Sequence, residues 1–332
     1  MKIGVVGSGK IVPEFLKAAA RVENCQVVAI AARNREAMEK IGAEYGIPAR
    51  CGRYSDLLRD PEVEAVYVAL PNNLHEPAAR LALENGRHVL LEKPTVASRE
   101  EIDRLYALAR ERNVGLFEMM TNRYHPNFEE VRRRLPEIGP VRVVQMNYSQ
   151  YSSRYDRFLA GDIAPAFDPK LGGGALMDLN IYNIALAVGW FGRPRDVQYF
   201  PTVQKGVDTS GVLVLQYEGF QCVCVGAKDC AAPLGFQIQG EKGCIVSAAA
   251  PNELTDFPLQ LRGEKPETVA LGDAALPRLQ PELAAINGAL NAGTGDELCR
   301  RMETVTVLCA EVLEEALGKA GLSAGEAAEE LF

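Results

Sequence analysis

Over its first 119 residues the chain alternates short apolar runs with stretches of helical period, and few folds accept that alternation. Strands are expected at Lys2–Val6, Gln26–Ala31, Ala65–Ala69, His88–Leu91 and Val114–Met119, and helices at Pro13–Val22, Arg35–Tyr45, His75–Asn85 and Arg99–Arg112. In the last helix Ile102, Leu105, Tyr106, Leu108 and Ala109 recur at helical spacing and leave Glu100, Glu101, Arg104 and Arg110 for solvent. Strands joined through helices lie parallel, and right-handed crossovers wind them into a Rossmann-like, doubly wound sheet.

After Thr121 the pattern changes. A helix around Asn127–Leu135 leads into a long strand at Val141–Tyr151, and a loop-rich stretch ends at Gly172-Gly173-Gly174 before a helix from Ala175 to Val188. Strands follow at Val197–Val203, Gly211–Tyr217, Gln221–Gly226, Phe236–Gln239 and Cys244–Ser247, the last four joined in two pairs by the hairpin turns Tyr217–Phe220 and Gly240–Gly243. Consecutive strands with tight turns make an open, mainly antiparallel sheet, and the chain returns to helix at Pro281–Asn291 and Glu297–Ala320. The expected fold is therefore α/β: a Rossmann domain at 1–121 and an α+β domain at 122–332. Val212–Leu215 and Cys222–Val225 are apolar at odd and even positions alike, so both faces of that sheet are expected to be covered. Helices of the same domain would cover one face. A second subunit, as homodimer or homotetramer, or the C-terminal helices would cover the other.

Charge excludes some partners. Lys and Arg number 36 against 44 Asp and Glu, a net charge of −8, and the one dense basic cluster, Arg132-Arg133-Arg134, follows two glutamates. Nucleic acid and anionic membranes both require a basic surface. The N-terminus lacks a signal-peptide core, and no apolar run reads as approaching the ~18 residues of a membrane span. Eight scattered cysteines and three histidines show no ligand spacing, so neither a disulfide framework nor a metal site is expected. These features describe a cytoplasmic protein whose partner is a small-molecule substrate.

Four motifs bear on chemistry. Gly7-Ser8-Gly9-Lys10-Ile11-Val12 follows a strand and opens a helix, the place where a tight turn lets a pyrophosphate approach a helix N-terminus. Val12 stands where Gly or Ala usually permits close helix–strand packing. The second strand ends Ala31-Ala32-Arg33-Asn34, with no carboxylate to hold a ribose 2′-hydroxyl; Arg33 suits a 2′-phosphate, which favours NADP over NAD. Lys93, in Leu91-Glu92-Lys93-Pro94, closes a buried strand at the sheet edge where ligands bind, or else makes a surface ion pair with Glu92. Gly172-Gly173-Gly174 frees a helix N-terminus for close approach by a ligand, and Asp178 and Tyr182 lie four residues apart on one helical face.

In order, Gly7-x-Gly9, Pro71-Asn72-Asn73-Leu74-His75, Glu92-Lys93-Pro94, Arg123-Tyr124-His125-Pro126 and the triple glycine leading to Asp178 resemble the Gfo/Idh/MocA oxidoreductases, the group of glucose–fructose oxidoreductase and inositol dehydrogenase. The resemblance implies hydride transfer between NAD(P) and a hydroxyl-bearing carbon of a sugar, polyol or cyclic alcohol. It places Gly7, Gly9, Lys10 and Ile11 at the pyrophosphate and Arg33 and Asn34 at the adenosine ribose. Leu70, Pro71, Asn73 and His75 would flank the nucleotide, and Glu92 and Lys93 would approach the nicotinamide. Lys93 would be the active-site lysine and Asp178 the substrate-orienting aspartate, with Arg123 and Tyr124 lining the pocket.

The sequence departs from many members by carrying Tyr182 where they have histidine, as in the branch of glucose–fructose oxidoreductase and the dimeric dihydrodiol dehydrogenases. A phenol with a pKa near 10 is a sluggish base at neutral pH, and a neighbouring lysine cation favours its phenolate. Tyr182 would then carry the hydroxyl proton while Lys93 stabilises the alkoxide. Two other readings remain at this point. One is a dinucleotide-binding sensor without turnover, which would need no proton relay. The other is a lyase or glycosidase that recycles its cofactor within one turnover.

Overall fold

The computed structural model describes residues 1–273, 275–326 and 331, and the chain divides into two compact units. The first is built from Met1–Met119 and Ala275–Val307. It runs β1 (Lys2–Val6), α1 (Ile11–Ala19), β2 (Gln26–Ala31), α2 (Arg35–Glu44), β3 (Ala49–Cys51), α3 (Tyr54–Arg59), β4 (Ala65–Val68), α4 (His75–Glu84), β5 (His88–Glu92), α5 (Arg99–Arg112) and β6 (Leu116–Met119). Every strand pair is parallel, in the order β3-β2-β1-β4-β5-β6. This is the doubly wound sheet expected from the alternation, and its order reverses between β1 and β4, the place where ligands sit in such sheets. β3 and α3 escape the sequence pattern because three and six residues are too few to establish a period.

The core follows from the periodicity. α1 buries Val12, Phe15, Leu16, Ala18 and Ala19, and Phe15 stacks on Tyr67 of β4 at 3.7 Å between ring centroids. Val12 is fully buried, so the third position of the glycine motif still packs helix against sheet.

Residues 275–307 are the main departure from the expected division at 121/122. The helix α10 (Gln280–Asn291) packs on α1, buries Leu283 and Ile286, and donates from Asn287 Nδ2 to the Glu23 carbonyl at 2.8 Å. At the start of α11 (Gly295–Ala320), Cys299 Sγ donates to the Leu116 carbonyl and Thr306 Oγ1 to Glu118 Oε2. The apolar faces of these segments complete the core of the parallel sheet rather than that of the second sheet.

The second unit comprises Met120–Ala274 and Leu308–Glu326. It contains α6 (Thr121–Tyr124), α7 (Pro126–Arg134), β7 (Val141–Ser149), α8 (Tyr155–Leu159), α9 (Ile181–Phe191) and the strands β8 (Asp196–Gln204), β9 (Val207–Tyr217), β10 (Phe220–Ala227), β11 (Gly235–Gly240), β12 (Gly243–Ser247), β13 (Phe257–Leu261) and β14 (Glu267–Val269). The order is β14-β13-β12-β11-β7-β10-β9-β8, antiparallel throughout except for the parallel pair β7–β10. α9 covers one face, where Val144, Met146, Leu213, Leu215, Cys222, Cys224 and Ile238 are buried.

By length and composition Pro169–Phe191 passes for a membrane span, against the expectation that no run would. In the structure 78% of that window is buried inside the protein, so its apolar character serves the core. Among the described residues the opposite face of the sheet keeps apolar side chains exposed. Phe200, Val212, Val225 and Asn147 line up across β8, β9, β10 and β7, and Phe200 is 62% exposed.

Candidate active site

The residues expected at the cofactor lie in loops after the parallel strands. Gly7 follows β1 with φ +118°, and a Cβ there would lie 2.2 Å from the Ala69 carbonyl oxygen after β4. Its missing side chain therefore lets two strand ends approach each other. Gly9 is different: a Cβ on it would meet nothing within 4 Å. Behind it Lys10 is the N-cap residue of α1 and no side chain caps the helix; Val12 N donates to the Gly9 carbonyl at 3.0 Å. An uncapped helix N-terminus with open space before it fits a dinucleotide pyrophosphate.

Lys10 and Arg33 are exposed, and Ile11 is half-buried. Asn34 has a structural task, since its Oδ1 accepts from Ala37 N at 3.0 Å and caps α2. That leaves Arg33 as the cation at the tip of β2.

The turn Leu70–His75 is tied to the segment after β5. His75 is buried, with Nδ1 2.8 Å from the Pro94 carbonyl oxygen and Nε2 3.0 Å from that of Leu70; burial holds its pKa down. The side chain thus positions Leu70, Pro71 and Asn73 relative to Lys93-Pro94. Tyr67 donates to Glu92 Oε1 at 2.6 Å, and burial pushes the Glu92 carboxyl up against the opposing pull of that hydroxyl and of Lys93. Beneath lies Glu282 of α10, buried, with neither oxygen hydrogen-bonded among the described residues; desolvation and then the neighbouring Glu92 push its pKa well up.

In the second unit Asp178 lies in a π-helical turn, Leu176–Asn180, and Tyr182 in the first turn of α9. π turns recur at functional sites because they re-aim side chains within a helix. Asn180 and Asn183 anchor this one by donating to the carbonyls of Cys224 and Val225 in β10 at 3.2 and 3.1 Å. Tyr182 is buried and packs at 5.7 Å from the ring of Tyr148. Asn122 Nδ2 donates to the Tyr182 carbonyl at 3.1 Å, which ties α6, with buried Arg123 and half-buried Tyr124, to α9.

Two of the three glycines, Gly173 and Gly174, are required by the protein's own packing. Asp208 Oδ2 accepts from Leu176 N at 2.7 Å and from the Tyr199 hydroxyl at 2.7 Å, capping the helical segment. A Cβ on Gly174, whose φ is +134°, would lie 2.0 Å from Asp208 Oδ1, and one on Gly173 would strike the backbone of Ala166 and Asp168. Asp178 itself pairs with Lys228 at 3.0 Å. Asp208, Lys228, Asn122 and Glu282 carry no signal in the sequence pattern, because the groups each of them faces are distant in the chain. Among the described residues no three His, Cys, Asp or Glu side chains group as a metal site would need.

Two family models match the chain: residues 1–119 match the Gfo/Idh/MocA oxidoreductase family with its NAD-binding Rossmann fold, and residues 128–246 match a Gfo/Idh/MocA C-terminal domain. The scyllo-inositol 2-dehydrogenase (NADP(+)) IolU of Bacillus subtilis is 36% identical over 247 residues, 74% of this chain and 75% of its own. A trans-1,2-dihydrobenzene-1,2-diol dehydrogenase of Xenopus tropicalis is 32% identical over 252 residues, 74% of each chain. The 3-ketoreductase KijD10 of Actinomadura kijaniata, solved with NADP and TDP-benzene, shares the fold with a TM-score of 0.81 at 24% identity, over 96% of this chain and 97% of that one.

Proposed function

The chain belongs to the Gfo/Idh/MocA oxidoreductases, and from that premise we propose that it is an NADP-preferring dehydrogenase or reductase acting on a hydroxyl or carbonyl carbon of a sugar, polyol or cyclic alcohol. The observation that carries this reading is Lys93 immediately after β5, on the carboxyl edge of a nucleotide sheet whose first helix has an uncapped, open N-terminus. The preference for NADP rests on a β2 tip without a carboxylate and with Arg33 exposed. Two relatives, IolU and the D-xylose 1-dehydrogenase of Haloferax volcanii, are named for NADP(+) as well.

NAD(P), when bound, supplies the hydride acceptor or donor. The amides at the start of α1 and the space before Gly9 would hold its pyrophosphate, and Arg33 its ribose phosphate. Lys93 would stabilise negative charge developing on the substrate oxygen. Tyr182 would take the hydroxyl proton in oxidation and return it in reduction. Asp178 would accept a hydrogen bond from an adjacent hydroxyl and so set which carbon is presented.

We place the protein in the cytoplasm, a reading supported by eight cysteines of which none forms a disulfide among the described residues. We also propose a homodimer or homotetramer formed through the open sheet face, where Phe200, Val212, Val214, Val223, Val225 and Val143 lie among glutamines.

The test is nicotinamide absorbance in the near ultraviolet, with NADP⁺ or NAD⁺ and a panel of sugars, polyols and cyclic diols, for the protein and for Lys93→Met. Turnover that is lost in Lys93→Met while nucleotide binding persists supports the reading. Product formation without net nicotinamide reduction would replace it with internally recycled chemistry.

A further inference from the structure

Lys228 directly follows β10, and its buried ammonium is paired with a site residue. The residue is 2% exposed. Its backbone N donates to the Thr209 carbonyl and its carbonyl accepts from Ser152 N, both at 2.8 Å, so the main chain there cannot drift. Taking an ammonium out of water costs several kcal/mol unless its donors are used. Three groups surround this one: Asp178 Oδ2 at 3.0 Å, the carbonyl oxygen of Ala166, and the face of Phe167, 4.2 Å away at the ring centroid. A lysine ammonium has three hydrogens and a ring face attracts cations, so the surroundings match its valence. Asp178 is not buried to the same depth; its side chain remains 34% exposed.

We infer that Lys228 is a positioning residue: it holds Asp178 as a fixed, negatively charged acceptor and joins that acceptor to the turn Pro165–Phe167, so that the site selects substrates offering a hydroxyl beside the reacting carbon. This inference rests on the reading of Asp178 as the group that orients substrate. A carboxylate accepts and does not donate, so an adjacent hydroxyl satisfies it. An adjacent carboxylate or phosphate on the substrate would be repelled, because the lysine charge is already matched by Asp178.

The other ionisable groups nearby do not replace Lys228. On β9, Asp208 is committed to Leu176 N and to Tyr199 of β8; burial pushes its carboxyl up, against the opposing pull of those hydrogen bonds and, least, of Lys228. Asp229 is turned onto the hydroxyls of Thr209 and Ser210. From α9, Tyr182 is the remaining titratable side chain on the helical segment that carries Asp178.

The test uses the full chain and the variants Lys228→Met, which keeps the stem, Lys228→Arg, and Lys228→Met with Asp178→Asn. The carboxyl carbon of Asp178, assigned by its loss in Asp178→Asn, is titrated by carbon-13 NMR. Removing a cation 3.0 Å away should raise the midpoint in Lys228→Met by about one pH unit or more relative to the parent, with Lys228→Arg restoring it. An identical midpoint in parent and Lys228→Met overturns the inference, whatever the enzyme turns over. If Lys228→Met does not fold but the double variant does, the uncompensated carboxylate is the cause and the inference stands; if neither folds, Lys228 is a packing residue and the inference fails. With an active diol substrate, KM near pH 6 should rise about tenfold in Lys228→Met and hardly for the deoxy analogue lacking the adjacent hydroxyl. An equal rise for both overturns the selectivity. Absence of turnover by the parent across the whole panel refutes the assigned reaction and, with it, the substrate selection, while the NMR titration decides the hold on Asp178 separately.

Discussion

Replacing Gly174 by alanine tests whether the triple glycine serves the fold or a ligand. The new Cβ would lie 2.0 Å from Asp208 Oδ1, and the residue would have to keep φ near +134°. A non-glycine residue in so sparsely populated a region costs about 1–3 kcal/mol. Moving the Asp208 carboxylate away also breaks its bonds from Leu176 N and the Tyr199 hydroxyl, both 2.7 Å, inside the protein. Leaving one such buried group unsatisfied costs about 1–3 kcal/mol more. Together these give about 2–6 kcal/mol. At about 2–4 °C per kcal/mol for a domain of this size, Tm should fall by at least about 4 °C. The assay is thermal unfolding followed by circular dichroism, with KM for NADP⁺ measured below the transition. A Tm within a degree of the parent, together with a selective rise in KM for cofactor or substrate, would refute the reasoning and return the glycines to ligand binding.

Three further outcomes follow from named side chains. Burial, and then the neighbouring Glu92, hold the Glu282 carboxyl in the folded protein well above its unfolded value of 4.5. The folded state then binds more protons, so stability present below that pH is lost as pH rises, by up to about 1.4 kcal/mol per unit until the raised folded pKa is passed. Glu282→Gln should be relatively more stable at pH 8 than at pH 5 by urea midpoint, and parallel declines in both proteins would contradict this. Arg33→Ala should raise KM for NADP⁺ about tenfold or more and leave NAD⁺ unchanged, since one charge-assisted contact is worth about 1.5–3 kcal/mol; equal changes would remove Arg33 from the cofactor site. Val223→Glu, in the middle of the open sheet face opposite Val214, should shift sedimentation toward the monomer, and an unchanged mass would move the interface elsewhere.

The parts of the fold legible in the sequence are those with local period. β1, the glycine turn and α1 are contiguous, and Lys93 stands out because a charge at the end of Val89-Leu90-Leu91 breaks an otherwise buried run. Asp178 and Tyr182 were found through an ordered set of short motifs. What stayed hidden depends on long-range pairing. Asp208 meets Leu176 across 32 residues, Lys228 meets Asp178 across 50 positions, and α10 returns to α1 over more than 260. No window of sequence contains both members of such a pair. The π turn was also illegible, because the Asn180 side chain that ties it to β10 finds its carbonyl 44 residues away. β14 has only three residues and two of them are exposed, so it lacked an apolar signature.

The most direct test of the central claim is transfer of a labelled hydride. The protein is given NADPH deuterated at the transferable position of C4 and a ketone from the responsive sugar or cyclic alcohol series, and the product is weighed by mass spectrometry. The account expects one deuterium bound to the carbinol carbon, with stoichiometric NADP⁺, and loss of that product in Tyr182→Phe. Product formed without the label, or label returned to the cofactor with no net oxidation, would contradict it.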